Sequence, residues 1–190
     1  MFRILAPQAK TLGLRAGDIP GLPRAGPAFS KDADGVWSAT VGPIDPGAYR
    51  CTYMVDGVST LDPRNPGANE CNAWSLVYIQ GAEFMETANV PHGTVASVTY
   101  YSRALSHFQR MHVYTPPGYE TGGGQYPTFY LLHGSGHCDD SWTSVGRAGF
   151  ILDNLIAAKK AQPMIVVMPA SYTDAFAEDF VKSIDRKSVV

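Results

Sequence analysis

The sequence predicts two units in series: a small antiparallel β-sandwich over residues 1–81, then an incomplete sheet built from strands and helices over residues 94–190. Three observations predict this. Short apolar or alternating runs separated by turn signals fill the first part of the chain, as in a sandwich. The pattern then changes to runs that are apolar at nearly every position, interleaved with helical spacing. Between the two, residues 82–93 (AEFMETANVPHG) have no clear period and contain Pro91 and Gly93, so they read as a connection.

In the first unit, FRILAP and KTLGLR are short apolar or alternating runs. GVWSATVG alternates Val36, Ser38 and Thr40 against Trp37, Ala39 and Val41. GAYRCTYMVDG puts Tyr49, Cys51, Tyr53 and Val55 on one face and ends in Asp56-Gly57, a tight-turn signal. VSTLDP is then the returning strand, and WSLVYIQG is one more. In the second unit, TVASVTYYS and FQRMHVYTPPGY pair as a hairpin, closed by a double proline that cannot continue a ladder. TFYLLHG reads as a strand buried on both faces. GFILDNLIAAKKA places Phe150, Leu152, Leu155 and Ile156 at helical spacing, with Lys159 and Lys160 suited to a helix C-terminus. PMIVVMP is a second apolar strand. DAFAEDFVKSID reads as a helix with Asp174 as N-cap and Phe176, Phe180, Val181 and Ile184 along one side. A two-unit open sheet exposes apolar edges and faces, so a homo-oligomer that covers them is expected.

Composition narrows the function. The chain has 190 residues, 45% hydrophobic and 17% charged, which fits a globular protein and excludes a disordered one. The net charge of -2, with no Lys or Arg stripe, argues against nucleic acid as a partner. No apolar run approaches the ~18 residues of a membrane span. MFRILAP lacks the h-region and cleavage site of a signal peptide, so the chain reads as cytoplasmic or as quoted without its original start. Cys51, Cys71 and Cys138 form no CxxC pair, which sets aside zinc-ribbon and redox readings. Buried free thiols are the expectation, with a Cys51–Cys71 bridge as the option in an oxidising compartment.

The chemistry concentrates in YPTFYLLHGSGHCDDSW, residues 126–142, where an apolar run ends in His-Gly and a loop rich in Gly, His and Asp follows. Ser135, His137 and Asp139 or Asp140 are a conceivable nucleophile, base and orienting acid, provided that the histidine reaches the hydroxyl. His133, His137 and one of the same carboxylates are a conceivable metal set. A solvated polar loop is the plain alternative and the expected one. Trp142 lines a cleft for an aromatic acyl group or packs under the loop. Trp37 and Trp74, with Tyr49 and Tyr53, form a sugar-stacking platform or, since an alternating strand buries one face, the sandwich core.

Several of these stretches are recognisable. FRILAPQAK, KDADGVWSATVGPIDPGAYRCTYMVDGV and LDPRNP resemble the N-terminal immunoglobulin-like, carbohydrate-binding-type sandwich found ahead of many bacterial esterases. MHVYTPPGY, YPTFYLLHGSG, DDSWTSVGRAGFILDNLIAA and PMIVVMP resemble the first half of feruloyl and acetylxylan esterases of carbohydrate esterase family one, which are esterase D-like α/β-hydrolases. The fold so implied is an immunoglobulin-like sandwich followed by a truncated α/β-hydrolase. The implied function is carboxylic-ester hydrolysis on plant-polysaccharide or related esters by a serine acyl-enzyme route, with no cofactor and with members often secreted. The resemblance makes Gly134 and Ser135 the oxyanion loop, with the Ser135 N–H as donor, and gives His133 a loop-holding role. His133, Asp140 and Trp142 are the expected substrate contacts. The family's nucleophile sits later, on a Gly-x-Ser-x-Gly elbow, and no such motif occurs in these 190 residues. The alternative is therefore a non-catalytic remnant that binds carbohydrate or a partner chain.

Overall fold

The computed structural model describes residues 1–70 and 73–171, and every structural statement below concerns these. The helix expected from Asp174 lies outside them. The first unit holds β1 (Phe2–Leu5), β2 (Leu12–Arg15), β3 (Ser30–Lys31), β4 (Val36–Ala39), β5 (Gly47–Val55), β6 (Val58–Thr60), β7 (Ala68–Asn69) and β8 (Trp74–Ile79). They form two antiparallel sheets, β1-β4-β3 and β2-β5-β8-β7, with β6 paired to β5. Phe2 and Ile4 from the first sheet meet Leu14, Tyr49, Cys51, Tyr53 and Val77 from the second in one core. The alternation along β5 sets this up: Tyr49, Cys51 and Tyr53 are buried, and Arg50 points the other way. At the β5–β6 turn Asp56 and Gly57 both take positive φ, 47° and 85°, the mirror-image geometry that Asp-Gly favours. Asp56 then accepts the Lys10 and Thr11 N–H groups at 2.8 and 2.7 Å, tying the turn to the start of β2.

The second unit holds β9 (Thr94–Ser102), β10 (His107–Thr115), β11 (Thr128–Tyr130), α1 (Ala148–Ala157) and β12 (Ile165–Pro169). The sheet order is β11-β12-β10-β9. The strand–helix–strand crossover makes β11 and β12 parallel, as its grammar requires, whereas β12 meets β10 antiparallel and β9 and β10 form the expected hairpin. The sheet is therefore mixed. Tyr114, Val166 and Met168 are buried under Leu152 and Ile156 of α1.

One expectation fails here. TFYLLHG reads as a strand buried on both faces, yet Phe129, Tyr130 and Leu132 are 51%, 66% and 61% exposed. β11 stands at the edge of the described sheet while α1 packs over Tyr114, Val166 and Met168, so no described element covers Phe129 and Tyr130.

Residues 82–93 are no loose linker. A turn of 3-10 helix at Glu83–Met85 lies against α1, and Asn154 donates to the Glu83, Phe84 and Glu86 carbonyls. Arg147 donates to the Met85 carbonyl at 2.7 Å and places its guanidinium over the rings of Tyr78 and Phe150. Asp153, buried inside the apolar helix, accepts from Gly93 N–H, the Tyr114 hydroxyl and His92 at 2.8–2.9 Å. Burial, and then that bond to Asp153, push the Tyr114 hydroxyl's pKa strongly upward. No described helix is long and apolar enough to cross a membrane.

Candidate active site

The loop between β11 and α1 carries the candidate site. Its backbone is wound on itself. Leu131 extends the β12 pairing by one bond, N–H to Val167 O. His137 N–H then bonds to the Gly134 carbonyl at 3.1 Å, closing a turn over Gly134-Ser135-Gly136-His137. Gly136 takes φ +75°, which only glycine adopts cheaply. Further on, Thr143 and Ser144 N–H cap the Asp140 carbonyl, and Ala148 N–H reaches the Trp142 carbonyl at 2.8 Å. Gly146 is required where it stands, because a Cβ there would meet the Trp142 backbone at 2.8 Å.

The Ser135 N–H has no hydrogen-bond partner among the described residues, and the residue is exposed at the tip of the turn. His133 has one ring nitrogen 2.8 Å from the Gly134 carbonyl and the other against Ala170 O, so it braces the turn on the end of β12. Trp142 donates its indole N–H to Leu132 O at 3.0 Å. His133, Gly134, His137, Ser141, Trp142 and Gly146 together line a cavity of about 320 Å³. A second cavity of about 220 Å³ is lined by Gly17, Asp18, Arg50, Trp74 and His137, so His137 is a wall of both. A larger cavity, at Arg3, Ile4 and Arg64, lies on the first unit away from this loop.

The loop's carboxylates do not face the cavities. Asp139 takes a two-pronged bond from Arg110, at 2.7 and 2.9 Å, and one from His112 at 2.8 Å. Burial raises the Asp139 pKa, but the Arg110 bonds and charge, with His112, outweigh it and hold the carboxyl below its ordinary value. Asp140 is 3% exposed and accepts from the Asn69 side chain at 3.0 Å and the Glu70 N–H at 2.7 Å.

These positions decide where each expected residue stands. His133, Gly134, His137 and Trp142 line one cavity, and Ser135 stands at the tip of the 134–137 turn beside it. Asp140, read as a substrate contact, is instead a buried clamp between the two units. The Ser135–His137–Asp set is not assembled, because His137 meets Arg50, Nη1 lying 3.3 Å from each ring nitrogen, and both carboxylates point elsewhere. The metal set does not converge either: no group of three or more His, Cys, Asp or Glu able to hold an ion occurs among the described residues. Trp37 and Trp74 lie in different sheets. Trp37 donates to Ala6 O under the Lys31 ammonium, and Trp74 lines the cavity beside His137. Tyr49 and Tyr53 are core. The cysteine expectation is corrected too: Cys51 is a buried free thiol, its pKa pushed to about 11 by burial and Asp62, while Cys138 is disulfide-bonded.

Comparison with known proteins follows from this loop. Residues 102–188 match the family model described as putative esterase. Across 184 residues, 92% of this chain, it is 36% identical to an endo-1,4-beta-xylanase/feruloyl esterase of Xylanibacter ruminicola, of which it spans 25%. The enterobactin esterase of Shigella flexneri has a similar fold, with TM-score 0.62 over 93% of this chain and 52% of that one at 15% identity. A ferulic acid esterase of the CE1 family from Anaeromyces mucronatus is 27% identical over half of this chain and 35% of its own, with TM-score 0.43. The chain thus spans 25% of the curated relative, 52% of the enterobactin esterase and 35% of the ferulic acid esterase. The enterobactin esterase comparison shows a shared fold.

Proposed function

We propose that this chain forms the oxyanion-side half of a carboxylic-ester hydrolase of the feruloyl or acetylxylan esterase type, acting on esters of plant polysaccharides. The observation that carries the reading is the Ser135 N–H, which has no hydrogen-bond partner among the described residues and sits in a turn whose Gly134 and His137 line the Trp142 cavity. A donor held in a braced turn stabilises negative charge as it develops on the ester oxygen, an interaction worth about 3 kcal/mol in the transition state. Trp142 offers a ring against which an aromatic acyl group packs. In a complete enzyme a serine attacks the carbonyl and the acyl-serine ester is then hydrolysed. Those steps need a nucleophile elbow absent from these 190 residues. Ferulate, the hydrolysis product, carries both the ring and an oxygen anion, so it is the probe for this half-site.

Ferulate is titrated into the purified chain, and methyl ferulate and p-nitrophenyl acetate are offered as substrates. Saturable ferulate binding is expected, retained in Ser135→Ala, which keeps the N–H, and weakened in Ser135→Pro, which removes it. No turnover dependent on the Ser135 hydroxyl is expected. Absence of saturable binding contradicts the reading, and turnover abolished by Ser135→Ala replaces it with one in which that hydroxyl is the nucleophile. One observation favours the non-catalytic alternative, namely that Trp74 opens into a cavity with Asp18 and Arg50. Polysaccharide pull-down lost in Trp74→Ala, without ferulate binding, supports it. For a protein partner the reading is a second copy of this chain, covering the exposed β11 side chains.

A further inference from the structure

Arg50 projects from the face of β5 that turns away from the first unit's core, in register with Leu76 of β8. Its guanidinium is locked from behind. Nε and Nη2 donate to the two oxygens of Asp18 at 2.6 and 2.9 Å, and the Arg50 backbone N–H adds a third bond at 3.2 Å. The two side chains are only 17% and 30% exposed, so this fork is held in one orientation. Burial pulls the Asp18 pKa up, yet the Arg50 bonds and charge outweigh it and keep the carboxyl below its ordinary value. The remaining Nη1 is aimed across the gap between the units, at the imidazole of His137. The His137 N–H closes the turn that holds Ser135.

We infer that Arg50 is a positioning residue: clamped by Asp18, it sets His137 and through it the 134–137 turn that presents the Ser135 N–H. The inference rests on the reading of Ser135 as the oxyanion donor. It makes the first unit part of the ester-binding machinery rather than an appended module. An arginine is needed, because a lysine ammonium cannot fork onto Asp18 and present a third direction to His137 together.

The test uses the whole 190-residue chain with Arg50→Met and Arg50→Lys, and Asp18→Asn as a milder variant should either fail to fold. Amide hydrogen exchange is read at His137, whose N–H closes the turn, and at Met111 in β10 as a remote control. Exchange at His137 is expected to quicken roughly tenfold in both Arg50 variants, as when a local opening gains one lost interaction, with Met111 unchanged. The ferulate Kd is expected to rise about tenfold, while the Kd of guaiacol, which has the ring without the carboxylate, stays the same. Asp18→Asn shifts both readouts in the same direction by less. Unchanged exchange at His137 in a folded Arg50→Met overturns the inference, as does equal acceleration at His137 and Met111. If the unsubstituted chain fails to bind ferulate while the exchange difference persists, the esterase reading falls and Arg50's hold on the turn stands. If ferulate binds and exchange does not respond, Arg50's role falls alone.

Discussion

The two units close themselves differently. The first has apolar side chains from both sheets meeting in one core, with Leu14, Cys51 and Tyr53 each 2% exposed. The second buries only the α1 side of its sheet well, and leaves Phe129, Tyr130 and Leu132 in the open. Among the described residues, polar ties join the second unit to the first: Asn69 and Glu70 N–H on Asp140, Arg50 on His137, and Arg110 on Glu70. An apolar core tolerates the loss of any one polar bond, whereas a unit held by buried carboxylates depends on each of them. The site loop lies on the second kind of support.

That contrast is broken most severely at its best-closed point. Tyr53→Ala empties a fully buried ring position and is expected to cost about 4 kcal/mol in urea unfolding. Asp139→Ala comes next, at about 3 kcal/mol, because it leaves His112 and the partly buried Arg110 without their carboxylate. A loss below about 1 kcal/mol there would mean that the polar ties carry little of the second unit's stability. The same carboxylate sharpens the comparison through pH. Its folded pKa is lowered, so its contribution is fully present above the ordinary value of 3.8 and is lost as pH falls through the lower folded value. Asp139→Asn is therefore expected to flatten the acid limb of the stability–pH curve, and an unchanged limb would contradict the pairing. The smallest effect belongs to the open side. Tyr130→Ser is expected to change stability by less than about 0.5 kcal/mol while lowering self-association in light scattering. A large stability loss would mean that this ring is covered in solution.

Alternation was the most legible signal in the sequence. Tyr49, Cys51 and Tyr53 fall on the core face as their spacing requires, Asp56-Gly57 turns where its backbone freedom allows, and the β9–β10 hairpin and α1 form where expected. The uniform apolar run at β11 misled, because such a run states a tendency to be covered and not whether anything covers it. The turn at 134–137 was legible from its Gly-Ser-Gly pattern. The partners that hold it were not. Asp18, Arg50 and Asn69 lie 71 or more residues from the loop atoms they reach directly or through Arg50, and polar residues on the outer face of a strand read as solvent-facing. Asp153 left one clue, a carboxylate within the apolar stretch GFILDNLIAA, where burial demands partners.

The most direct measurement is the Ser135 amide resonance in a 15N-labelled chain, followed while ferulate is added. The account predicts that the Ser135 proton moves downfield saturably as it donates to the carboxylate, in step with quenching of Trp142 fluorescence, and that the shift disappears in Trp142→Ala at the same ligand concentration. Ferulate bound with the Ser135 resonance unmoved, or no binding at all, would contradict it.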